Sequence, residues 1–334
     1  MAWYNTSGKD KDIVVSSRVR FARNLSGYAF GDRLDDKHAT EIIEKAEALL
    51  SPNGFEKVVP TSALEAASYV EKHYVSREFA EKKRPHALMI NEPCGYAVML
   101  CEEDHMRLQC ILPGLSLDEA YASLCKLDDL IDEHFDIAYD ETLGYLTHCP
   151  TNLGTGMRAS VMMFLPALTM SGKIRELSSQ LSKIGLTIRG LYGEGTAADG
   201  SLYQISNQVT LGITEEDTLK KLSDVIRQIK ESELSLRKLI DPERNPELVD
   251  RICRAEGTLK HAFLLSSSEF ISLYASVRLG ISLGLVTSLS LETLDEFFVL
   301  SMPATLMLSA ETPPKNEKER DILRAKRIKE AFNR

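Results

Sequence analysis

The feature that most constrains the fold is a change of residue pattern after Asp241-Pro242. Before this point, short β-branched runs alternate with amphipathic helical patterns, whereas residues 245–334 have almost entirely helical patterns with short breaks. The length of 334 residues also favours about two domains, at roughly 150 residues each. The sequence therefore predicts an α+β domain over residues 1–238, followed by an all-α domain over residues 239–334.

Periodicity predicts the strands and helices of the first domain. A β-branched run over residues 12–20 indicates a strand, and two apolar runs flank the acidic turn 102–104 as they would in a hairpin. Ser116 followed by Glu119 has the spacing of a capping box, which predicts that a helix starts there. Further strands are expected over residues 137–149, 186–192 and 202–211, and helices over 38–50, 63–73, 174–184 and from 214 onward.

The charge balance excludes two classes of partner. The chain has 40 Lys and Arg against 49 Asp and Glu, a net charge of −9. Binding to nucleic acid or to an anionic membrane relies on a basic surface, so we expect neither.

The longest apolar run, residues 159–170, is too short to span a bilayer. The six cysteines include no CxxC pair and the N-terminus lacks an apolar signal core, which favours a reduced, cytoplasmic protein.

Two arginines in the first predicted strand could bind phosphate. Arg18 and Arg20 are two residues apart, so their side chains point to the same face of a strand. Two adjacent guanidinium groups repel each other unless an anion lies between them, which indicates a phosphate clamp. The alternative is a solvated edge strand whose arginines pair with nearby acids.

The acidic turn Glu102-Glu103-Asp104 is a candidate for a general base. Three adjacent carboxylates repel each other, which raises the pKa of at least one, and a carboxylate with a raised pKa suits proton abstraction. The alternatives are an ordinary acidic hairpin turn or, with His105, a metal site. One histidine and several acids are weak support for the metal site.

The loop over residues 148–158 could bind an anion. Gly154 and Gly156 permit a tight turn with exposed N–H groups, and Arg158 adds positive charge beside it. Nearby cations would lower the pKa of the Cys149 thiol. The alternatives are a connecting loop and a buried, inert cysteine.

Two further segments carry arginines. Arg189 ends a predicted strand just before Glu194, which lies between two glycines. Arg320 and Arg324 are four residues apart and therefore share one face of the last predicted helix. A flexible surface loop and a charged helical surface are the respective alternatives.

Together, these arginines and carboxylates fit phosphoryl transfer, in which spread charge stabilises the phosphoryl group and a base orients the nucleophile. The sequence contains no Walker A motif and no protein-kinase glycine loop, so common nucleotide-binding folds are not indicated.

Four motifs resemble those of the ATP:guanidino phosphotransferases, the creatine and arginine kinases and their relatives. They are SSRVR at 16–20, EEDHMR at 102–107, CPTNLGTGMRAS at 149–160 and RG at 189–190. The motifs occur in the order of that family and span about residues 12–212. The resemblance implies that the α+β domain is an antiparallel β-sheet flanked by helices, similar to that of glutamine synthetase.

Within this family, the chain resembles the bacterial protein-arginine kinases. SSRVR begins at Ser16, so we expect the helical domain that precedes it in small-guanidino kinases to be absent. RDILRA at 320–325 matches a phosphoarginine-binding signature, and YQISNQVTLG at 203–212 resembles the version in these kinases. There, Gln204 and Thr210 replace an Asp and a phosphate-binding Arg of the creatine kinases. One departure is Cys101, where the family usually has Asn.

The resemblance also implies a role for each matching residue. Glu103 would orient and deprotonate the target guanidinium, whose ordinary pKa is above 12, with Glu102 assisting. Cys149, as thiolate, would lie near the reacting nitrogens, and Glu194 would bind the guanidinium from the other side. ATP would bring its own Mg²⁺. The residues implied in ATP binding are Ser16, Ser17, Arg18, Val19, Arg20, His73, Arg107, Arg158, Ala159, Ser160, Val161, Met162, Arg189, Gly190, Leu191, Tyr192, Gly193 and Glu194.

A second pocket, for phosphoarginine, is implied at Arg320, Asp321, Arg324 and Ala325. Its arginines would bind the phosphate and Asp321 the guanidinium. The resemblance further implies substrates such as a heat-shock repressor of the CtsR type, an activator of the McsA type, delivery of tagged proteins to a Clp protease, and a homodimer or larger homo-oligomer. Two alternatives remain: a kinase for a small guanidino compound, and an inactive phosphoarginine-binding adaptor.

Overall fold

An antiparallel sheet of eight strands organises the fold, which a computed structural model describes for residues 3–190 and 199–332. The strand order is β2-β3-β4-β5-β1-β8-β10-β9, and β6 pairs with β7 in a separate small hairpin. The strands are β1 Val14–Arg23, β2 Glu56–Val58, β3 Ala87–Asn91, β4 Tyr96–Leu100, β5 Met106–Pro113, β6 Tyr139–Asp140, β7 Gly144–Tyr145, β8 Met157–Phe164, β9 Leu186–Gly190 and β10 Leu202–Asn207.

The α-helices of the described ranges flank this sheet. They are α1 Asp36–Leu50, α2 Ala63–Glu71, α3 Arg77–Glu81, α4 Leu117–Asp132, α5 Pro166–Met170, α6 Ile174–Lys183, α7 Glu215–Arg237, α8 Pro246–His261, α9 Ser267–Ser282, α10 Leu291–Leu300, α11 Pro303–Leu308 and α12 Glu317–Ala331. The predicted α+β fold class is confirmed. Within the described ranges, no helix is long and apolar enough to cross a membrane.

The two faces of the sheet differ because side chains alternate along each strand. On the first face, Val19 and Phe21 of β1 belong to a core with residues of α1, α4 and α7. On the second face, Phe164 of β8 and Met99 of β4 join a core with α8, α9, α10 and α12. Between these apolar positions, the second face carries polar side chains, including Arg18 and Arg20.

Two buried ion pairs connect helices to the sheet and to the segment that precedes it. Arg278 of α9 is fully buried, pairs with Asp295 and donates to the Lys11 carbonyl oxygen at 2.6 Å. Arg237 of α7 pairs with Glu233 at 2.7 Å and donates to the Phe164 carbonyl oxygen at 3.2 Å. The C-terminal helices and the sheet thus share a core, and the domain boundary at residue 238 stays a prediction.

Several predicted elements are confirmed, since β1, the β4–β5 hairpin, α1, α2 and α6 lie where periodicity placed them. The strand predicted over residues 137–149 is wrong: only two short strands form, and Asp140 accepts from the amides of Thr142 and Leu143, both at 2.8 Å, to close their turn. The strand predicted over residues 202–211 ends at Asn207.

The predicted capping box at Ser116 is also wrong. Ser116 precedes α4, but its hydroxyl donates to the Pro113 carbonyl oxygen at 3.0 Å instead of capping the helix. The Ser116 amide donates to the Ser17 hydroxyl at 3.0 Å. A contact from β1, far away in the sequence, therefore fixes the start of α4.

Candidate active site

Four arginines converge on the second face of the central strands. Arg18 and Arg20 project from β1, Arg107 from β5 and Arg158 from β8. The register places Arg20 directly opposite Arg158. Like charges at directly opposite positions of an antiparallel pair are destabilising. The fold therefore holds cations together that repel one another, which favours a bound anion.

The pKa shifts of these arginines have the same physical cause. Burial, and then the charge of Arg107, lowers the pKa of Arg18 to about 10. Burial also lowers the pKa of Arg20 well below its ordinary value, and Arg18, Arg107 and Arg158 lower it further. The buried Nε of Arg20 makes no hydrogen bond to the described residues. Phosphate oxygens would supply both the missing acceptor and the missing negative charge.

The two predicted carboxylates lie at the β4–β5 turn and meet Arg107. Its guanidinium donates to Glu102 at 2.5 Å and to Glu103 at 3.2 Å. Glu102 is nearly buried and also accepts from the Ser76 hydroxyl, whereas the Glu103 side chain is 36% exposed. Glu103 is thus the carboxylate that is more accessible to a substrate nitrogen.

The turn begins at Cys101, the position that departs from the family pattern. Cys101 has a φ of 56° and is buried, and its Sγ lies 3.6 Å from the Ala39 carbonyl oxygen. Burial raises the pKa of this thiol to about 12, so it remains protonated. A left-handed residue at this position reverses the chain between β4 and the two carboxylates, and asparagine adopts that conformation more readily than cysteine.

Asp104 and His105 stabilise the turn. One Asp104 oxygen accepts from the Asn24 side-chain amide and the His148 backbone amide, both at 2.7 Å. The His105 Nδ1 accepts from the Leu25 amide at 3.0 Å, and its Nε2 donates to the Ala29 carbonyl oxygen at 3.0 Å. Both ring nitrogens of His105 are occupied, and the described ranges contain no cluster of metal-ligating side chains.

The loop between β7 and β8 forms one wall of the site. The Cys149 Sγ lies 3.0 Å from the Thr151 hydroxyl, which also accepts from Arg158 at 3.1 Å. Arg158 further donates to Asn152 at 3.2 Å. The loop thus positions both the candidate thiol and the arginine opposite Arg20.

The two glycines of this loop serve close backbone approach rather than the predicted anion nest. Gly154 has a φ of 108°, and a Cβ there would lie 2.2 Å from the Thr210 carbonyl oxygen. Gly156 has a φ of 64°, and a Cβ there would lie 2.7 Å from the Ala22 carbonyl oxygen. The intervening Thr155 amide donates to the Thr210 carbonyl oxygen at 3.0 Å, so it is not free to bind an anion.

These segments enclose a cleft of about 190 Å³. Its charged and nucleophilic lining consists of Arg20, Glu103, Arg107, Cys149 and Arg158. The structure therefore brings together, from three separate parts of the sequence, a cationic phosphate site, a carboxylate and a thiol. We call this the arginine cleft.

Comparison with known proteins establishes the family. Residues 37–236 match the family described as ATP:guanido phosphotransferase, C-terminal catalytic domain, and residues 245–334 match that described as protein-arginine kinase McsB C-terminal domain. A protein-arginine kinase of Clostridium acetobutylicum is 41% identical over 98% of both chains. One from Caldanaerobacter subterraneus subsp. tengcongensis is 41% identical over 97% of this chain and 98% of its own. This chain belongs to the protein-arginine kinase family.

Solved structures show the same fold at lower identity. Lombricine kinase superposes with a TM-score of 0.62 at 22% identity, covering 71% of this chain and 70% of its own. The duplicated taurocyamine kinase of Schistosoma mansoni, with bound transition state analog components, has a TM-score of 0.60 at 24% identity over 81% of this chain and 40% of its own. The predicted resemblance is confirmed, and a kinase of this family uses ATP.

Other predicted ATP-binding residues lie around the cleft. His73 has a φ of 63°, and burial, followed by the charge of Arg18, lowers its pKa to about 3. Arg189 is exposed on β9. The pKa of Arg158 is lowered mainly by burial of Arg158, and the charge of Arg189 lowers it further. Ser160 is buried opposite Arg18.

Several predicted residues lie near the cleft without lining it. Val19, Ala159 and Val161 belong to the first core, and Met162 to the second. Ser17 donates to the Gly114 carbonyl oxygen at 2.8 Å. Ser16 is buried, and Gly190 ends β9. The predicted Leu191, Tyr192, Gly193 and Glu194 lie outside the described residues.

In the C-terminal helical region, α12 carries the predicted phosphoarginine residues. Arg324 is buried, pairs with Asp321 at 2.6 Å and donates to the carbonyl oxygens of Ser301 at 2.9 Å and Leu265 at 2.7 Å. Ala325 is buried in the second core. Arg320 is partly exposed, with one guanidinium nitrogen 3.9 Å from the Met307 sulfur. Arg324 thus connects α12 to the residue that follows α10 and to the segment that precedes α9, and Arg320 is the more accessible arginine.

Sequence reasoning missed two groups that shape the cleft. Ser76 caps α3 and bonds to Glu102, and the Asn207 side chain accepts from the Ala159 amide at 2.8 Å, which holds β8 against β10. Ser76 lies outside the recognised motifs, and Asn207 lies within YQISNQVTLG at 203–212 without a role predicted for it, because each acts on a partner many positions away. Thr210 supports the loop between β7 and β8. Its hydroxyl donates to the Thr151 and Leu153 carbonyl oxygens at 3.0 and 2.7 Å.

Proposed function

We propose that this protein transfers the γ-phosphoryl group of Mg-ATP to arginine side chains of proteins. The observation that carries the proposal is the direct opposition of Arg20 and Arg158 beside Glu103 in one cleft. The guanidinium groups of Arg20, Arg107 and Arg158, which line the cleft, can stabilise the charge of a phosphoryl group during transfer. The partly exposed carboxylate of Glu103 can bind a cationic nucleophile and accept its proton. The full-length similarity to named protein-arginine kinases supports the same activity.

In this proposal, Arg18, Arg20, Arg107 and Arg158 hold the ATP phosphates and stabilise charge on the transferred group. A nitrogen of the target guanidinium attacks the γ-phosphorus. The N–P bond forms as the bond from phosphorus to the β–γ bridging oxygen breaks, and ADP leaves with that electron pair. The proton of the attacking nitrogen passes to Glu103, while Glu102, held by Arg107 and Ser76, fixes the orientation of the turn.

Mg²⁺ enters this reaction as part of the substrate. No cluster of three metal-ligating side chains occurs in the described ranges, whereas several arginines face the phosphate position. An ion bound to ATP would neutralise part of the phosphate charge and leave the remaining oxygens for the guanidinium groups.

The cellular role follows as a further part of the proposal. A cytoplasmic kinase that marks arginine would act on a heat-shock repressor of the CtsR type, respond to an activator of the McsA type and direct tagged proteins to a Clp protease. Arg320, Asp321, Arg324 and Ala325 would bind phosphoarginine, and the chain would form a homodimer or larger assembly. Each of these roles is a proposal on the basis of family membership.

The test is to incubate the protein with Mg-ATP and, separately, a protein substrate, free arginine or creatine. We expect phosphoarginine on the protein substrate, measured by mass spectrometry under conditions that preserve the acid-labile N–P bond. Phosphate only on the free compound would instead establish a small-guanidino kinase.

A matched pair of variants tests the role of Glu103. Glu103→Gln should lower kcat about 10²- to 10⁴-fold, the usual contribution of a general base. Glu231→Gln on the exposed surface of α7 should leave kcat unchanged. Full activity in Glu103→Gln would contradict the assignment of the base, and absence of phosphorylation by the unmodified protein would favour the inactive adaptor.

A further inference from the structure

A second concave surface lies on the other side of the loop that lines the arginine cleft. It has a volume of about 440 Å³ and lies between the β6–β7 hairpin and residues 210–217. We call it the hairpin groove. Gly154 and Thr155 form its floor, whereas Gly156, the next residue, lines the arginine cleft. The two concave surfaces are therefore separated by a single backbone segment.

Backbone contacts build the hairpin groove. The Tyr145 amide donates to the Gly154 carbonyl oxygen at 2.8 Å, and the Thr155 amide donates to the Thr210 carbonyl oxygen at 3.0 Å. A Cβ at Gly144 would lie 2.4 Å from the Gly154 carbonyl oxygen, so hairpin and loop are in direct contact. Both walls are thus attached to the floor by main-chain groups, and the groove is pre-formed. A pre-formed surface orders few side chains when a partner binds.

The lining of the hairpin groove is apolar and acidic. Tyr139, Leu143 and Leu211 line it and are 59%, 41% and 48% exposed. Clustered large apolar side chains at a surface indicate an interaction site. The rim includes the exposed acids Glu141 and Asp217, and no lysine or arginine is among the lining residues. This charge is opposite to that of the arginine cleft, so the groove suits a partner with apolar and cationic groups.

We infer that the hairpin groove binds the polypeptide segment that flanks the target arginine, and that it favours apolar and basic residues there. This inference rests on the proposed function, because only a protein substrate has a flanking segment. An extended chain advances about 3.3 Å per residue, and neighbouring extended segments lie about 4.8 Å apart. A peptide whose arginine enters the cleft therefore needs only a few further residues to cross the loop and reach the groove.

The test compares two substrates in the full-length protein. One is a peptide with a single arginine flanked by leucine and lysine, and the other is the same peptide flanked by glutamate. We expect the unmodified protein to phosphorylate the first with the lower KM. The double variant Tyr139→Ala/Leu143→Ala should raise the KM for the first peptide about tenfold, the size of effect expected when side chains that anchor a bound segment are truncated. The KM for ATP should not change.

Two further variants act as controls. Asp217→Lys should lower the preference for the basic peptide without changing the KM for ATP. Ile184→Ala removes a similarly large side chain that is 43% exposed and outside the groove, and it should leave both peptide KM values unchanged.

The outcomes separate the two proposals. If the unmodified protein phosphorylates peptides but the double variant has an unchanged peptide KM, the inference about the groove is wrong and the proposed function stands. If the double variant instead changes the sedimentation mass with unchanged peptide KM, the groove is a contact between copies of this chain and the inference is again overturned. If no peptide or protein is phosphorylated, the proposed function and the inference fall together.

Discussion

Two groups of arginines in this molecule have opposite electrostatic surroundings. Arg23, Arg278 and Arg324 are almost fully buried, and each is paired with a carboxylate, Arg23 with Asp128 at 2.6 Å. In the arginine cleft, Arg20 faces Arg158 and its Nε has no partner among the described residues. Burial acts to lower the pKa of Arg278, but the charges of Asp295 and Tyr274 more than offset this effect, so the pKa is raised. The pKa of Arg20, by contrast, is lowered.

The comparison separates arginines that stabilise the fold from arginines that await a ligand. A buried cation next to its own carboxylate is compensated within the protein, and removing either partner leaves an uncompensated charge. A cation held against other cations is compensated only when an anion binds. Stability measurements and kinetic measurements should therefore respond to different arginines.

The largest effect is expected at Arg20. Arg20→Met should lower kcat/KM for phosphoryl transfer about 10³- to 10⁵-fold, as expected when a cation on a transferring phosphoryl group is lost. Its midpoint of thermal unfolding should be unchanged or higher, because a repelling charge is removed. Arg227→Met, on the exposed face of α7, is the control and should alter neither quantity. A lower unfolding midpoint with normal activity for Arg20→Met would place Arg20 in the stabilising group.

The reverse result is expected at Arg278. Arg278→Met leaves Asp295 buried without its main partner, which should lower the free energy of unfolding by about 3–5 kcal/mol, measured by urea denaturation. The kcat/KM of the folded variant should stay near that of the unmodified protein. Arg278→Met/Asp295→Leu removes both charges and should recover much of the loss. If the double variant is no more stable than the single one, burial of an unpaired charge is not the cause.

An effect of intermediate size is expected at His73, beside Arg18. Since burial, and then Arg18, lowers the pKa of His73 to about 3, the unfolded chain takes up its proton first on acidification. This contribution to stability is therefore complete above about pH 6.5 and decreases toward pH 3, by about 2 kcal/mol at pH 5. Urea denaturation of His73→Asn should show less loss between pH 7 and pH 5. An equal loss in both proteins would show that His73 does not titrate in this way.

The smallest effect separates the two arginines of α12. Arg320→Ala should weaken binding of free phosphoarginine about tenfold, measured by calorimetry, with little change in stability, because one charge-assisted contact is lost. Arg324→Lys should instead lower the free energy of unfolding by about 1–3 kcal/mol, since it removes buried hydrogen bonds. Arg327→Ala on the same helix is the control for phosphoarginine binding. Unchanged binding in Arg320→Ala would argue against a phosphoarginine pocket at α12.

Patterns within a few residues predicted much of the fold. The alternation in β1 indicated a strand and also placed Arg18 and Arg20 on one face, because that geometry depends only on spacing along the chain. The apolar periodicity of α1 and α7 was equally local. The prediction for residues 137–149 was wrong because their polar and apolar residues serve the hairpin and the loop, which receive their bonds from distant segments.

The sequence by itself determined the family, the arginine and carboxylate motifs, and the helical character of residues 245–334. Only the tertiary structure decided that Arg158 faces Arg20, that Glu102 is held by Arg107 and Ser76 while Glu103 is more exposed, and that Arg324 is paired whereas Arg20 is not. The physical reason is the distance along the chain over which each property is determined. Side-chain direction follows from neighbouring residues, but the electrostatic partner of a charge depends on strand register and on helix packing between residues far apart in the chain.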